Sequence, residues 1–200
     1  MNPANRLEPR GSCEPLLAPG SSEPLHGCDD ALLAQVWAVL ETVPDPEIPV
    51  VSIRELGILR DVRRAADAPG LVEVVITPTY SGCPAMGQIS EDIGLALNAA
   101  GLAPARIVTV LSPAWTTDWI TPGAGEKLRA YGIAPPQGDR PAGAQPLRFM
   151  PRGRPAADQP PCPHCGSPHT ERLAQFGSTA CKALYRCLDC REPFDYFKPY

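Results

Sequence analysis

Histidine is scarce in this sequence, and no histidine lies in the segment that carries most of the periodic apolar residues. The 200 residues include three, His26, His164 and His169, so none falls within residues 29–134. A cysteine or serine hydrolase needs a base such as histidine beside its nucleophile. A di-iron carboxylate site needs helices with Glu-x-x-His motifs, and the one match, which ends at His26, contains a proline. The sequence therefore disfavours a hydrolase and excludes a di-iron active site.

Long apolar runs, nucleotide-binding glycine motifs and excess positive charge are absent as well. No run of 18 apolar residues occurs, and the start MNPANRLEPR lacks the apolar stretch of a signal peptide. No G-x-G-x-x-G motif is present, so a nicotinamide or flavin site is not expected. The net charge of −4 gives no attraction for nucleic acid or an anionic membrane. We therefore expect a cytoplasmic protein that binds neither nucleic acid nor membrane.

Proline and cysteine, by contrast, are plentiful, with 26 and 8 residues, and proline marks how the chain is organised. Residues 1–28 are rich in Pro, Gly and Ser without periodicity, which predicts a disordered tail. Residues 135–160 are again proline-rich and predict an extended linker. The remaining residues form a domain over 29–134 and a small unit over 161–200. Because the linker lies between them, we expect two separate cores with little coupling.

Apolar periodicity predicts the order α-β-β-α-β-α for residues 29–134, a small mixed sheet of the α+β class. A helix follows Asp29, two strands joined by a hairpin come next, and a second helix runs from Pro84 to Gly101. A third strand and a short helix that stops at Gly132 complete the domain. Since the second helix connects the second and third strands, these two strands should be parallel.

The small C-terminal unit contains two Cys-x-x-Cys pairs, Cys162 with Cys165 and Cys187 with Cys190. Two such pairs complete a tetrahedral thiolate site, which predicts a zinc ribbon with one structural Zn²⁺. About forty residues bury too little apolar surface to fold without such help. Disulfides and an iron site are the alternatives. Cys181 is a fifth thiol nearby, and it is either a small buried residue or a further ligand or reactive thiol.

One cysteine of the first domain, Cys83, stands alone in the stretch TYSGCPAMGQI. It precedes Pro84 at the start of a predicted helix, where the amides of the first turn favour thiolate and lower the pKa. It can fill a tight turn, act as a nucleophile or ligate a shared metal. Asp45 and Glu47 lie in the proline-framed segment DPEIP, which is either solvated surface or a shaped anionic feature.

Three segments, DPEIPVVSIRELGIL, ITPTYSGCPAM and LSPAWTTDWI, resemble the signatures of SufT-like proteins, which assist cytosolic iron–sulfur assembly. Together with the C-terminal segments FGSTACKALYRC and EPFDYFKP, they resemble the family of PaaD-type (PaaJ-type) subunits of phenylacetyl-CoA epoxidase systems. The resemblance covers about residues 29–134 and 161–200. Cys13 and Cys28 lie outside it and inherit no role.

The resemblance implies a non-catalytic accessory subunit of a multicomponent epoxidase in aerobic phenylacetate degradation. Its partners would be the oxygenase and reductase components, with a homodimer left open. Its task would be to help place transient iron or an iron–sulfur cluster in a partner. Cys83 would be the transferable ligand, and four further residues would shape the site: Asp45, Glu47, Thr77 and Thr79.

Two other functions compete with metal transfer. The first is a purely structural subunit that stays in the oxygenase complex. The second is a zinc-ribbon protein that binds nucleic acid. Residues 161–200 carry five basic and four acidic side chains, and this balance gives little attraction for phosphate. The sequence therefore leaves the structural subunit as the main alternative.

Overall fold

The computed structural model describes residues 31–102, 104–137 and 159–199. The predicted tail, including Cys13 and Cys28, and most of the predicted linker lie outside the described residues, as does the Asp29 cap of the first helix. Within the described ranges, no helix is both long enough and apolar enough to cross a bilayer.

The predicted order α-β-β-α-β-α is confirmed, and four short strands follow it. The elements are α1 (Ala31–Leu40), β1 (Leu59–Ala65), β2 (Ala68–Ile76), α2 (Met86–Ala99), β3 (Ala105–Thr109), α3 (Pro122–Ala130), β4 (Ile133–Ala134), β5 (Thr170–Ala174), β6 (Lys182–Cys187) and β7 (Pro193–Phe197). A single 3-10 turn, Thr117–Trp119, precedes α3. Helix α2 begins two residues later than predicted because Pro84 and Ala85 lie in a turn.

The first sheet has the order β1-β2-β3. Strands β1 and β2 are antiparallel, whereas β2 and β3 are parallel, as the crossover through α2 requires. The buried face of α2 carries Ile89, Ile93 and Leu97 at helical spacing, and α1 adds Val36 and Leu40. These side chains and the apolar residues of β1 and β2 form one core.

The segment between α1 and β1 is irregular, but local hydrogen bonds define it. Ser52 and Glu55 form the predicted capping box, in which each side chain accepts from the other residue's backbone amide at 3.2 and 3.0 Å. Gly57 has φ +69°, and a Cβ there would lie 2.5 Å from Cβ of Trp119. Glycine at this position therefore allows the segment 117–119 to pack closely against the chain.

The second sheet has the order β4-β7-β6-β5, so it combines a strand of the first domain with the three strands of the ribbon. Ile133 pairs with Asp195 and Ala134 with Tyr196 in parallel register. Phe194 and Tyr196 pack with Tyr185 inside the ribbon, and Phe197 enters the core of the first domain. The expectation of two separate cores is therefore wrong.

Two further contacts join the ribbon to the first domain. The rings of Phe197 and Trp115 lie 6.0 Å apart, and Trp115 Nε1 donates to the carbonyl of Leu56 at 2.9 Å. Gly132 ends α3 with φ +89°, and a Cβ there would lie 3.1 Å from Cε1 of His164. The proline content of the linker suggested a spacer that keeps the two units apart. Apolar residues on either side of the linker nevertheless bury each other, and this burial holds the two units together.

Candidate metal centres

Asp45 organises the loop that connects α1 to the capping box. Its Oδ1 accepts hydrogen bonds from the amides of Glu47 and Ile48 at 2.9 and 2.8 Å. The side chain is buried, and burial raises its pKa, while these two amides and the charge of Lys182 act in the opposite direction. Asp45 therefore has a structural role that fixes where the Glu47 side chain starts.

Cys83 is half-buried, and the amides of Ala85 and Met86 hydrogen-bond to its sulfur, as expected at the start of α2. The predicted lowering of its pKa is nevertheless wrong. Burial raises the pKa of the Cys83 thiol, and the carboxylates of Glu47 and Asp45 raise it further. Two amides at a helix start do not outweigh the loss of water and the two neighbouring anions.

A small, partly open cavity of about 10 Å³ brings most of the predicted residues of the first domain together. Its lining includes a thiol from each module, Cys83 and Cys181, and its other lining residues are Asp45, Glu47, Ile48, Leu56, Ile58, Thr79, Ala85 and Phe197. Four of the five predicted residues of this site thus surround one space. No three ligand-type atoms of these described residues lie within 4.8 Å of one another, so the site is loosely arranged.

Thr77, the fifth predicted residue, does not line this cavity. It follows β2 and is 1% exposed, and its amide donates to the carbonyl of Ile58 at 2.9 Å. Its Oγ1 has no hydrogen-bond partner among the described residues. The structure therefore separates Thr77 from the residues that surround Cys83.

Cys181 is the residue that the sequence did not assign to this site. The ribbon loop before β6 buries it among apolar residues of the first domain. The Oγ1 of Thr179 lies 2.9 Å from its sulfur, and Thr179 also hydrogen-bonds to Glu47. Burial raises the pKa of the Cys181 thiol. A cysteine in excess of the two Cys-x-x-Cys pairs was the only sequence signal for this position.

Lys182 supplies a buried positive charge beside the two carboxylates. It is 4% exposed, and its Nζ lies 3.3 Å from Oδ2 of Asp195. Burial and the charge of Asp45 raise the pKa of Glu47, whereas Lys182 lowers it. The ribbon therefore contributes both a thiol and a cation to the surroundings of Cys83.

The second candidate centre is the cluster of Cys162, Cys165, Cys187 and Cys190, whose sulfurs all lie within 4.8 Å of one another. The sulfurs of Cys162 and Cys190 are 3.7 Å apart, and those of Cys165 and Cys187 are 3.6 Å apart. A tetrahedral zinc site with bonds of about 2.3 Å places its sulfurs about 3.8 Å apart. The donor set and its spacing therefore fit a tetrahedral metal ion.

Comparisons with known proteins agree with this division of the chain. Residues 33–110 match the family model described as an iron–sulfur cluster assembly protein. Residues 150–198 match the family model described as the PaaD zinc beta ribbon domain. The two matches correspond to the segments that hold Cys83 and the four clustered cysteines.

Individual relatives match one or both parts. A protein from Escherichia coli (strain K12), assigned as the D component of 1,2-phenylacetyl-CoA epoxidase, is 49% identical over 82% of this chain and 91% of its own length. An Fe-S protein maturation auxiliary factor from Porphyromonas gingivalis is 36% identical over 42% of this chain and 77% of its own. A solved domain of unknown function from Bacillus anthracis is 29% identical, with a TM-score of 0.44, and the match covers 49% of this chain and 92% of that domain. The chain belongs to the PaaD family, in which an iron–sulfur cluster assembly domain is joined to a zinc beta ribbon.

Proposed function

We propose that this protein is an accessory subunit of a phenylacetyl-CoA epoxidase system and helps to deliver iron or an iron–sulfur centre to the oxygenase or its reductase. The E. coli relative is named as a component of that epoxidase, and two further relatives are named as Fe-S protein maturation factors. Within the chain, the observation that carries the proposal is the cavity at which Cys83 meets Asp45 and Glu47.

The residues around the cavity suit a metal that is held briefly as cargo. Cys83 and Glu47 are each only partly buried, so neither residue is sealed inside the core. Because the pKa of the Cys83 thiol is raised, a cation must displace its proton to bind, which weakens binding at neutral pH. A loose and moderately weak site releases its metal more readily than a closed tetrahedral one.

The four-cysteine cluster has a different part in the proposal, that of a resident structural Zn²⁺ site. A structural zinc supplies about 10–16 kcal/mol of apparent binding free energy to a small folded unit. The ribbon, once folded, places Cys181, Lys182 and Phe197 against the first domain. Zinc thus has no transfer role here and acts by holding this face of the ribbon in shape.

The test is turnover of phenylacetyl-CoA by an epoxidase reconstituted from metal-free components, an iron source and this protein. Cys83→Ser should keep the fold, checked by circular dichroism, and lose activation of the oxygenase. The matched control is Ser81→Ala, an exposed change in the same turn region, which should activate fully.

The amount of protein required separates delivery from a purely structural role. Substoichiometric protein should suffice if the metal is delivered, whereas a structural subunit is needed in equal amount to the oxygenase. Full turnover with Cys83→Ser would refute the delivery function.

A further inference from the structure

We propose that Cys181 is a second thiolate ligand of the transferred metal. The cargo site between the ribbon and the first domain then takes a single divalent cation that thiolates bind well, such as Fe²⁺. This inference rests on the proposed delivery function and adds the missing ligand and the form of the cargo.

Cys181 is free for this role because the ribbon's own metal does not need it. The ribbon cluster already has four thiols within 4.8 Å of one another, and Cys181 is not among them. Its side chain is buried in the core of the first domain, while the clustered Cys162 and Cys187 belong to the ribbon core. The loop before β6 therefore turns this one thiol away from the ribbon and towards Cys83.

Cys181 and Cys83 line the same cavity, and its size indicates what they can share. A volume of about 10 Å³ corresponds to room for roughly one water molecule. A single metal ion fits such a space with small movements of its surroundings. A two-iron cluster, which adds bridging sulfides and a second iron, requires the ribbon to move away from the first domain. The closed arrangement thus favours one ion.

The donor atoms around the cavity select the class of cation. Two thiolates favour iron, cobalt or zinc over Mg²⁺ and Ca²⁺, which prefer oxygen ligands. Glu47 adds a carboxylate, whereas Oδ1 of Asp45 is already engaged by two amides. Two thiolates and two carboxylates carry four negative charges, and buried Lys182, which also pairs with Asp195, offsets only part of them. A divalent cation is needed to neutralise most of the remainder.

Thr179 links the two sides of this site. Its hydroxyl contacts both the sulfur of Cys181 and the carboxylate of Glu47. The ribbon loop therefore holds Cys181 in register with the ligands of the first domain. Since no three of these described donor atoms lie within 4.8 Å of one another, a bound ion must draw them inward. Such strain is consistent with a metal that is passed on.

The experiment is an anaerobic titration of the zinc-loaded full chain with Co²⁺, a spectroscopic probe for thiolate ligation. Cobalt binds such sites more weakly than zinc and so leaves the loaded ribbon unchanged. Cys13 and Cys28 are replaced by serine in every sample, so that Cys83 and Cys181 are the two thiols outside the zinc cluster. The variants are Cys83→Ser, Cys181→Ser, Cys181→Ala and the exposed loop control Ser178→Ala.

We expect the parent protein and Ser178→Ala to bind one Co²⁺ with thiolate-to-cobalt charge-transfer absorption. Each cysteine variant should bind at least tenfold more weakly and show about half the absorption per bound cobalt. Zinc content and circular dichroism identify the variants that fold. If Cys181→Ser does not fold because its hydroxyl is buried, Cys181→Ala is used in its place. Affinity and absorption equal to the parent in a folded Cys181 variant overturn the proposal, as does a parent without charge transfer.

The two proposals fail in different ways. If Cys83→Ser loses turnover while Cys181→Ser binds cobalt like the parent, delivery stands and the second ligand is refuted. If Cys83→Ser gives full turnover, delivery itself is refuted, whatever the cobalt titration shows.

Discussion

The ring of Phe197, in the last strand of the ribbon, lies 6.0 Å from the ring of Trp115 in the first domain, tilted by 51°. Trp115 is held in turn by its hydrogen bond to the carbonyl of Leu56, and all three residues are buried. Leu56 and Phe197 also line the cavity that contains Cys83 and Cys181. A change in the packing between the two modules should therefore also change the shape of the candidate cargo site.

Phe197→Ala should destabilise the whole protein and not the ribbon alone. Removing a fully buried phenylalanine costs about 3–5 kcal/mol, and the space it leaves adjoins the cavity. The measurement is urea unfolding followed by tryptophan fluorescence, which reports on the first domain because Trp37, Trp115 and Trp119 all lie there. Phe176→Ala is the control, since that ring is 60% exposed and its loss should change the free energy of unfolding by about 0.5 kcal/mol or less. Equal effects of the two changes would contradict the shared core.

Loss of the ribbon's metal should be felt in the first domain. Cys162→Ser or Cys190→Ser should unfold residues 161–199 and also reduce hydrogen-exchange protection around β4 and Trp115, because β7 and Phe197 cover them. Helix α2 and strand β2 should keep part of their protection, since much of their packing lies within the first domain. A ribbon that stays protected after metal chelation would argue against a structural metal. An unchanged β4 in a protein with an unfolded ribbon would argue against the coupling.

The two acids of the proline-framed loop should respond differently to neutral substitution. Glu47→Gln should weaken Co²⁺ binding by about tenfold without loss of stability, because the Glu47 carboxylate hydrogen-bonds to the side chain of Thr179, an interaction that glutamine can also make. Asp45→Asn keeps an oxygen for the amides of Glu47 and Ile48 and should bind cobalt nearly as well as the parent. Asp45→Ala loses that oxygen and should lower the free energy of unfolding by about 1–3 kcal/mol. Cobalt titration and urea unfolding of the same three variants provide the comparison.

The capping box gives a pH-dependent contribution to stability. Burial raises the pKa of Glu55, but its hydrogen bonds with Lys127 and Ser52 and the charge of Lys127 outweigh this and hold the pKa below 4.5. A carboxylate with a lowered pKa in the folded state stabilises the protein above its unfolded pKa, and this stability is lost as pH falls through the folded value. Glu55→Gln should therefore cost about 0.5–1 kcal/mol at pH 7 and progressively less below pH 4.5. Parallel curves of stability against pH for parent and variant would contradict the assignment.

Features that depend on neighbours in sequence were predictable. Apolar spacing located α1, α2 and the first three strands, Ser52 and Glu55 identified a capping box, and two Cys-x-x-Cys pairs identified the thiol cluster. In each case a short segment contains all the groups that determine its structure.

Features that depend on distant packing were not predictable from the sequence. Strand β4 has two residues, too few to show a period, so its pairing with β7 had no local signal. The pKa of Cys83 was predicted with the wrong sign because burial by other elements outweighs the amides of its own helix. Cys181 could be counted as a spare thiol, but its position beside Cys83 follows from how the ribbon docks on the first domain.

The docking of Phe197 also has a consequence for synthesis of the protein. Strand β4 leaves the ribosome roughly 60 residues before Phe197, which corresponds to about 3–12 seconds at 5–20 residues per second. During that interval the nascent first domain has its own helices and sheet, but the apolar surface around Trp115 has no cover. Completion of the core must therefore wait until Phe197 has been translated. A chaperone that binds the growing chain would find its most persistent apolar target at this surface.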